Sequence, residues 1–288
     1  MKTKFIVNPI SGTGKQKNIC KLLQEHYLFN YEIEFTKNQN DAKKIIQEGI
    51  KDNFDCIIAV GGDGTLNECL NGIIGSNLSL GVIPCGSGNG FAKHIGMSSN
   101  IITSIHQLNE ARYKVIDYCT LNNMPFINIS GIGFDAHISN LFSNEVNRGF
   151  LKYIKLILTQ LTYKSNTYKI KINNKNIFVD SFLIAIANAS QYGNNFFIAP
   201  QSIIDDGMID IIILKKFPKW KIPLIVFLIF MKKIHKSKYV ISYKAKKIEI
   251  DSINNLVHLD GEPKFTNKKI DINIHQKSIK FLIPNEKK

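Results

Sequence analysis

The residues that most directly suggest chemistry lie in the glycine-rich stretch from Gly61 to Glu68, which also carries two acidic side chains. It follows the apolar run Cys56 to Val60 and leads into an amphipathic segment, which predicts a buried strand, a tight turn and a helix N-terminus. This arrangement binds anions, because glycines let backbone N–H groups approach a phosphate. Asp63 would repel a bare phosphate, but it fits a phosphate that carries Mg²⁺. The stretch therefore predicts a site for a polyphosphate with magnesium; the alternative is a glycine turn with an aspartate cap.

Two further glycine-rich loops each follow a short apolar run. Asn8 to Lys15 comes after Phe5–Val7, with a helix expected from about Lys15 to His26, and Cys85 to Gly90 comes after Leu80–Pro84. Strand and helix patterns alternate at β-α-β spacing, so roughly the first 120 residues should form a mostly parallel sheet with helices on both faces. The loops at the carboxyl ends of such strands share one edge, where ligands bind. Taken alone, the first loop fits an ordinary strand-to-helix turn equally well.

From about Val115 onward the pattern changes to short segments in which apolar and polar residues alternate. An amphipathic segment, Phe150 to Tyr163, predicts a helix, and the alternating segments predict strands. The predicted strands are Tyr168–Ile172, Phe182–Asn188, Met208–Leu214, Tyr239–Tyr243, Ile248–Asp251, Leu256–Leu259, Ile270–Ile274 and Ile279–Ile283. Many short strands with polar turns are typical of an antiparallel β-sandwich or barrel.

The two patterns predict two domains of different class. We expect an α/β nucleotide-binding domain over residues 1–118 and a β-sandwich domain that binds the second substrate over 119–277. The final strand, near 278–284, can return to the first domain. A cleft between two such domains suits an enzyme with two substrates.

Two acidic clusters interrupt the predicted strands. They are Asp205 to Asp210, which contains three aspartates, and Asp260 to Pro263. Asp-Gly pairs are common in hairpin turns, and for each cluster alone that is the favoured reading. Adjacent carboxylates can also hold a hard cation, and one of them could accept the proton of a hydroxyl group.

The composition points to a globular protein with an anionic partner. Lys and Arg outnumber Asp and Glu by 37 to 23, which gives a formal net charge of +14. Nucleic acid is a poor candidate for that partner, because only Arg112 and Arg148 could supply the guanidinium forks that read bases. The five widely spaced cysteines predict reduced thiols, and the longest apolar run, Ile222 to Met231, is too short to span a bilayer. We expect a cytoplasmic protein that is soluble or peripherally bound to the inner face of the membrane.

A basic segment, residues 215–248, contains eleven lysines and no acidic residue. It surrounds the apolar stretch Pro223 to Met231 and also carries Trp220. A basic segment with an apolar core can lie in an anionic membrane interface. The alternative is a core helix whose lysines form a solvated face.

Six motifs, in order along nearly the whole chain, resemble those of diacylglycerol-kinase-type lipid kinases, a superfamily that includes sphingosine and ceramide kinases. The motifs are Asn8-Pro9-x-Ser11-Gly12, Gly61 to Glu68, Pro84-x-Gly86-Ser87-Gly88-Asn89, Gly131-x-Gly133-Phe134-Asp135-Ala136, Asp205-Asp206-Gly207-x-x-Asp210 and Leu259 to Pro263. The Gly-Gly-Asp-Gly core alone is shared with phosphofructokinases and NAD kinases. The resemblance implies an ATP- and Mg²⁺-dependent lipid kinase, with an α/β nucleotide domain, a C-terminal β-sandwich and a site in the cleft.

The resemblance also implies roles for individual residues. Glu262 is the first candidate to accept the proton of the lipid hydroxyl, and Asp260, close by, is the alternative or shares that role. Asp63 is expected to lie near the magnesium of the nucleotide. A structural Mg²⁺ is expected at Asp206, with backbone carbonyls at about Ile203 and Met208. The expected ATP-binding residues are Asn8, Pro9, Ser11, Gly12, Thr36, Gly61, Gly62, Asp63, Gly64, Thr65, Asn67, Glu68, Gly86, Ser87 and Asn89.

One departure from the family concerns the third loop. Many bacterial members carry an acidic residue after the loop asparagine, where this chain has Gly90 after Asn89. The loop is closer to the Gly-Ser-Gly-Asn form of sphingosine kinases and of other bacterial members, so the identity of the lipid is open, with a sphingoid or ceramide substrate as the alternative to diacylglycerol. An NAD kinase and a regulatory protein that binds lipid or nucleotide without transfer are the remaining alternatives. Family members often form homodimers, which nothing in the sequence tests.

Overall fold

The first four strands of the chain run parallel, as the alternation of strand and helix predicts. A computed structural model describes residues 1–12, 14–49, 53–143, 150–160, 162–252 and 254–285. The chain folds as two units, Met1–Ile116 with Lys277–Lys288, and Asp117–Gln276. We describe each unit by itself.

The first unit is a parallel sheet with its helices in the connections. Its elements are β1 Lys2–Val7, a 3-10 turn at Lys15–Asn18, α1 Ile19–His26, β2 Asn30–Phe35, α2 Asp41–Gly49, β3 Cys56–Gly61, α3 Asp63–Ile73, β4 Ser79–Pro84, α4 Gly90–His94 and α5 Ile101–Asn109. The strands pair in the order β4-β3-β1-β2, and Val7 lies opposite both Val60 and Phe35. Every residue of β3 and β4 is buried, which explains why both are continuous apolar runs.

The second unit is built from antiparallel strands. Its elements are β5 Arg112–Leu121, which begins in the first unit, β6 Met124–Phe126, β7 Ile129–Gly133, α6 Phe134–Ser143, α7 Phe150–Thr159, β8 Asn166–Ile172, β9 Lys175–Ala187, β10 Ile209–Lys215, α8 Ile222–Phe230, β11 Val240–Ala245, β12 Lys247–Asp251, β13 Leu256–Leu259, β14 Glu262–Phe265 and β15 Lys269–Ile283. The pairing order is β14-β13-β7-β9-β8-β12-β15, and β10 pairs with β9 and β11. The far end of β15 leaves this unit and pairs in parallel with β4, where Phe281 lies opposite Leu80.

Strand β9 separates two apolar layers of the second unit, because its side chains alternate between the two faces. Ile184 and Ile186 enter a core formed mainly by strand residues. Ala185 and Ala187 face a second layer, which includes residues of α6 and α8. Because both faces of this half of β9 are buried, Phe182–Ala187 is a continuous apolar run rather than an alternating one.

The predicted fold class is confirmed: an α/β unit with a mostly parallel sheet precedes a β-sandwich unit. The predicted helix from Lys15 to His26 opens with a 3-10 turn, and the two strands predicted at 270–274 and 279–283 are one strand, β15. Helix α5 and strands β5 and β6 carried no prediction. The helix predicted over 150–163 ends at Thr159, and residue 161 lies outside the described residues. The domain limits that the sequence suggests stay a prediction of functional organisation.

Candidate active site

Three glycine loops of the first unit meet at the carboxyl ends of β1, β3 and β4. Gly62, after β3, lies so near Gly86, after β4, that a Cβ on Gly86 would be 2.5 Å from the Cα of Gly62. Gly12, in the loop after β1, has a φ of +58° and packs against the backbone carbonyl of Cys85. A side chain at these positions would push the loops apart, so the close approach itself requires glycine. Backbone N–H groups from three loops are thereby gathered at one edge of the sheet.

The first loop is fixed by two amide side chains. Asn8 donates its backbone N–H to the carbonyl of Val60 (3.0 Å) and its Nδ2 to Oγ1 of Thr65 (3.3 Å), which joins the loop to β3 and α3. Gln16 is 1% exposed, and its Nε2 donates to the carbonyls of Asn8 (2.8 Å) and Ser11 (2.9 Å). The loop is therefore held before any ligand arrives.

Asp63 links the second loop to the third. Its Oδ2 accepts from the backbone N–H of Gly90 (3.1 Å) and its Oδ1 from that of Phe91 (3.3 Å) at the start of α4. Asn89 closes the third loop on itself, because its Oδ1 accepts from Gly86 N (2.9 Å) and its Nδ2 donates to Gly86 O (2.8 Å). The third loop lacks an acidic residue of its own at position 90, and the carboxylate of Asp63 reaches that position from the second loop instead.

Four other expected ATP-binding residues differ in their contacts and in their exposure. Thr36 follows β2, is buried, and donates its backbone N–H to Val7 O (2.9 Å). Glu68 is directed at the first turn of α2, where it accepts from the N–H of Ala42 (3.3 Å). Pro9 and Ser87 are exposed at the tips of their loops. Glu68 therefore contacts the start of α2, whereas Ser87 is exposed on its loop, and its predicted contact with ATP stays a prediction.

In the second unit, Asp260 and Gly261 form a two-residue turn between β13 and β14. Their φ values are +50° and +87°, as a type I′ hairpin turn requires. The carboxylate of Asp260, which is 6% exposed, accepts three backbone N–H groups from Ile127–Ile129 at 2.8 to 3.2 Å. The hairpin expected at this cluster is therefore present, and Asp260 holds it against the start of β7.

Glu262 is the first residue of β14 and is partly exposed. His258 supports the turn that precedes Glu262. Its Nδ1 accepts from Gly261 N (3.3 Å), and its Nε2 lies 2.9 Å from Oδ2 of Asp135. Tyr192 donates its hydroxyl to the same carboxylate oxygen, and burial together with the charge of Asp135 raises the pKa of Tyr192 well above its ordinary value. Glu262 thus stands on a rigid, buried support.

Asp206, the side chain expected to hold a structural Mg²⁺, forms an ion pair with a lysine. Nζ of Lys244 lies 2.7 Å from Oδ2 of Asp206 and 3.3 Å from Oδ2 of Asp210. The other oxygen of Asp206 accepts from Met208 N (3.0 Å). Burial acts to lower the pKa of Lys244, but its hydrogen bonds and the charges of the two aspartates outweigh it and raise that pKa.

The oxygen donors expected at this turn suit a hard dication, but the ammonium group of Lys244 lies beside Asp206. Its positive charge would repel a second cation bound to the same carboxylate. Within the described ranges there is also no group of three His, Cys, Asp or Glu side chains that could hold a metal ion. The structural Mg²⁺ expected at Asp206, with backbone carbonyls at about Ile203 and Met208, stays a prediction.

Sequence reasoning missed the residues that support the site rather than form it. Gln16 and His258 received no role, Lys244 was counted only among the lysines of the basic segment, and Asp135 was noted only as part of a motif. The one available signal was a buried-strand pattern interrupted by a polar residue at His258, since a buried imidazole needs a partner.

Comparison with known proteins agrees with this geometry. Residues 2–121 match a family model described as a diacylglycerol kinase catalytic domain, and residues 128–270 match one described as the YegS C-terminal NAD kinase beta sandwich-like domain. A protein of Shewanella frigidimarina assigned as a YegS-like lipid kinase is 31% identical over 254 residues, which cover 85% of this chain and 81% of that protein. The chain belongs to the diacylglycerol-kinase-type lipid kinase family.

Other members of the family match over most of their length. A diacylglycerol kinase of Bacillus subtilis is 27% identical over 279 residues, which cover 91% of this chain and 89% of that enzyme. A solved structure of a Bacillus anthracis protein assigned as a diacylglycerol kinase has a TM-score of 0.78 and 26% identity, and the match covers 99% of this chain and 95% of that one. The family that the six motifs suggested is therefore confirmed.

Proposed function

We propose that this protein is an ATP-dependent lipid kinase that transfers the γ-phosphoryl group of ATP to the hydroxyl group of a lipid, with diacylglycerol as the first candidate. The observation that supports this most directly is the convergence of three glycine loops at Gly12, Gly62 and Gly86. Such a surface of backbone N–H groups at strand ends, next to the N-terminus of α3, suits the phosphates of a nucleotide.

The proposed reaction moves one phosphoryl group and one proton. The hydroxyl oxygen of the lipid forms a bond to the γ-phosphorus while the bond from that phosphorus to the bridging oxygen of ADP breaks, and the hydroxyl proton passes to Glu262. ATP is expected to arrive as its magnesium complex, so Mg²⁺ enters as part of the substrate. In such transfers, positioning and charge neutralisation supply most of the rate acceleration.

The contacts of the two acidic residues of the hairpin suggest different roles for them. Asp260 is engaged by three backbone N–H groups, which favour its ionised form but leave it poorly placed to take up a proton. Glu262 is partly exposed at the end of the turn. We therefore assign the base to Glu262 and the support of the turn to Asp260. Asp63 is assigned to holding the second and third loops together beside the phosphates.

The decisive experiment is transfer of labelled phosphate from ATP, with Mg²⁺ present, to a panel of acceptors: diacylglycerol, ceramide, sphingosine, a polyprenol and NAD. A single strong lipid product supports the proposal and names the substrate, and a ceramide or sphingosine product would select the sphingoid alternative. Phosphorylation of NAD alone would contradict a lipid kinase. ATP binding without transfer to any acceptor would favour the non-catalytic alternative.

A further inference from the structure

Helix α8 has the composition of a buried helix but is only half covered. Its nine residues, Ile222–Phe230, include no polar side chain. Ile225 and Ile229, one turn apart, are each 4% exposed and pack into the apolar layer that also holds Ile212 and Leu214. A helix that is apolar on every face is normally enclosed on every side.

The opposite face of this segment is an apolar stripe that is open to solvent. Trp220 is 72% exposed, Leu224 46%, Phe227 57% and Met231 47%. Their spacing of four, three and four residues places them in one row, because the 3-10 turn Lys219–Lys221 leads directly into α8. We call these four residues the outer stripe. Large exposed side chains that form a row, rather than lying singly, mark a surface that binds something.

The outer stripe lies within the strongly basic segment. Residues 215–248 contain eleven lysines and no acidic residue. Lys219, Lys232 and Lys233 are exposed at the two ends of the helix. Nζ of Lys221 lies 4.0 Å from the ring centroid of Trp220, so a charged group stands directly beside the aromatic one. An apolar row bordered by cations is complementary to a surface that has apolar material beneath a layer of negative charge.

We propose that the outer stripe and its lysines bind the surface of an anionic lipid bilayer. The helix is about 14 Å long at 1.5 Å per residue, so it would lie in the plane of the interface with Trp220 and Phe227 among the acyl chains. The described part of the chain has no helix long and apolar enough to cross a membrane. This surface would bring the proposed kinase to its lipid substrate, so the proposal rests on the proposed function. Membrane binding can nevertheless be measured without any phosphoryl transfer.

Charge argues against a second copy of the chain as the occupant of the outer stripe. A two-fold pairing through this face would bring the same lysines of both copies together, without an acidic residue of the segment to compensate. An anionic bilayer supplies both the apolar layer and the opposite charge. Each lysine near such a surface contributes a favourable electrostatic term that weakens as salt rises.

The experiment compares sedimentation of the full chain with phosphatidylcholine vesicles and with vesicles that also contain phosphatidylglycerol. The test variants are W220S combined with F227S, and K232E combined with K233E. Each has a matched control: F178S, which removes an aromatic side chain that is 73% exposed on β9, and K268E combined with K269E, which reverses two exposed lysines elsewhere. Thermal unfolding of every variant checks that the fold is intact, and W220S and F227S are also made singly.

We expect the wild-type chain to bind only the vesicles that contain phosphatidylglycerol, and to release them at high salt. Both test variants should bind about tenfold more weakly or worse, while both controls bind as the wild type does. Equal binding to both vesicle types, or loss of binding in the controls as well, would overturn the proposal. A change in oligomeric state in W220S/F227S with unchanged vesicle binding would assign the stripe to a second copy instead. Vesicle binding without phosphorylation of any lipid would contradict the proposed function and leave this surface in place.

Discussion

Nζ of Lys244 lies 2.7 Å from Oδ2 of Asp206, the side chain that the sequence predicts to hold a structural Mg²⁺. The same ammonium is 3.3 Å from Oδ2 of Asp210, whose side chain is 9% exposed. Burial raises the pKa of Asp210, while Lys244 acts to lower it. Lys244 therefore supplies a positive charge at the turn where the family resemblance predicts a Mg²⁺ ion.

Replacing Lys244 with methionine should create a dependence on Mg²⁺ that the wild-type chain lacks. Without the ammonium, Asp206 and Asp210 lose their counterion. We expect a loss of about 1 kcal/mol in the free energy of unfolding, since the pair is partly exposed, and recovery of part of that loss when Mg²⁺ is added. The measurement is thermal unfolding of the nucleotide-free protein with EDTA and across a range of Mg²⁺ concentrations.

Lys247→Met is the matched control, because Lys247 is 56% exposed and lies 3.6 Å from Asp271 and 3.7 Å from Glu249. It should unfold at the same temperature with EDTA and with Mg²⁺. If the wild-type protein is stabilised by Mg²⁺ as much as Lys244→Met is, the lysine does not replace a metal and the assignment is incorrect.

The hairpin at Asp260 and Glu262 predicts that two acidic residues two positions apart respond differently to neutral replacement. Glu262→Gln should lower kcat by about 10² to 10⁴-fold, as expected for loss of a general base, while leaving the unfolding temperature unchanged. Asp260→Asn should lower the free energy of unfolding by about 2–3 kcal/mol, because three backbone N–H groups lose a charged acceptor. Steady-state kinetics and thermal unfolding of both variants check this. Full activity in Glu262→Gln would remove Glu262 from the role of base.

Local patterns were enough to predict the strands and the three glycine loops that form the proposed phosphate site. Glycines at the ends of apolar runs indicated where the loops lie, and the parallel sheet indicated that they share an edge. The contacts that hold the site could not be predicted in this way, because they join distant parts of the chain. Asp260 and Asn128 are 132 positions apart, and Lys244 and Asp206 are 38 apart. A single sequence gives no signal for such pairs, whereas the position of each glycine loop can be inferred from the apolar run just before it.

The basic segment was predicted to be either a membrane contact or a core helix with a solvated lysine face, and helix α8 has features of both. Its inner residues, Ile225 and Ile229, belong to the core. Its outer residues are apolar rather than basic, and the lysines lie at its ends. Hydropathy alone could not separate these faces, because every residue of the helix is apolar.

Gly86→Ala tests whether the close approach of the loops matters for the nucleotide. The added methyl group would lie 2.5 Å from the Cα of Gly62 and 2.7 Å from Oδ1 of Asn89, so one of the two loops must move. We expect ATP to bind at least about tenfold more weakly, together with a loss of about 1–3 kcal/mol in the free energy of unfolding from overpacking. Titration calorimetry with ATP measures the first quantity. The control is Gly96→Ala, where φ is +81° but nothing lies within 4 Å of the new Cβ; equal loss of ATP affinity in both variants would contradict the proposed phosphate site.

His94, the last residue of α4, predicts a specific loss of stability in mild acid. Burial, with a smaller contribution from the charge of Lys114, lowers the pKa of His94 from 6.5 to about 4. Between pH 4 and pH 6.5, this histidine is protonated in the unfolded chain but neutral in the folded chain. Stability is therefore fully present above pH 6.5 and falls as the pH drops toward 4, by roughly 3 kcal/mol for this one group.

His94→Gln should show a smaller decline in the free energy of unfolding over that range, measured by urea titration at several pH values. His106→Gln, which changes an exposed histidine on α5, is the control and should follow the wild-type curve. Parallel curves for His94→Gln and the wild type would show that His94 does not set the acid sensitivity.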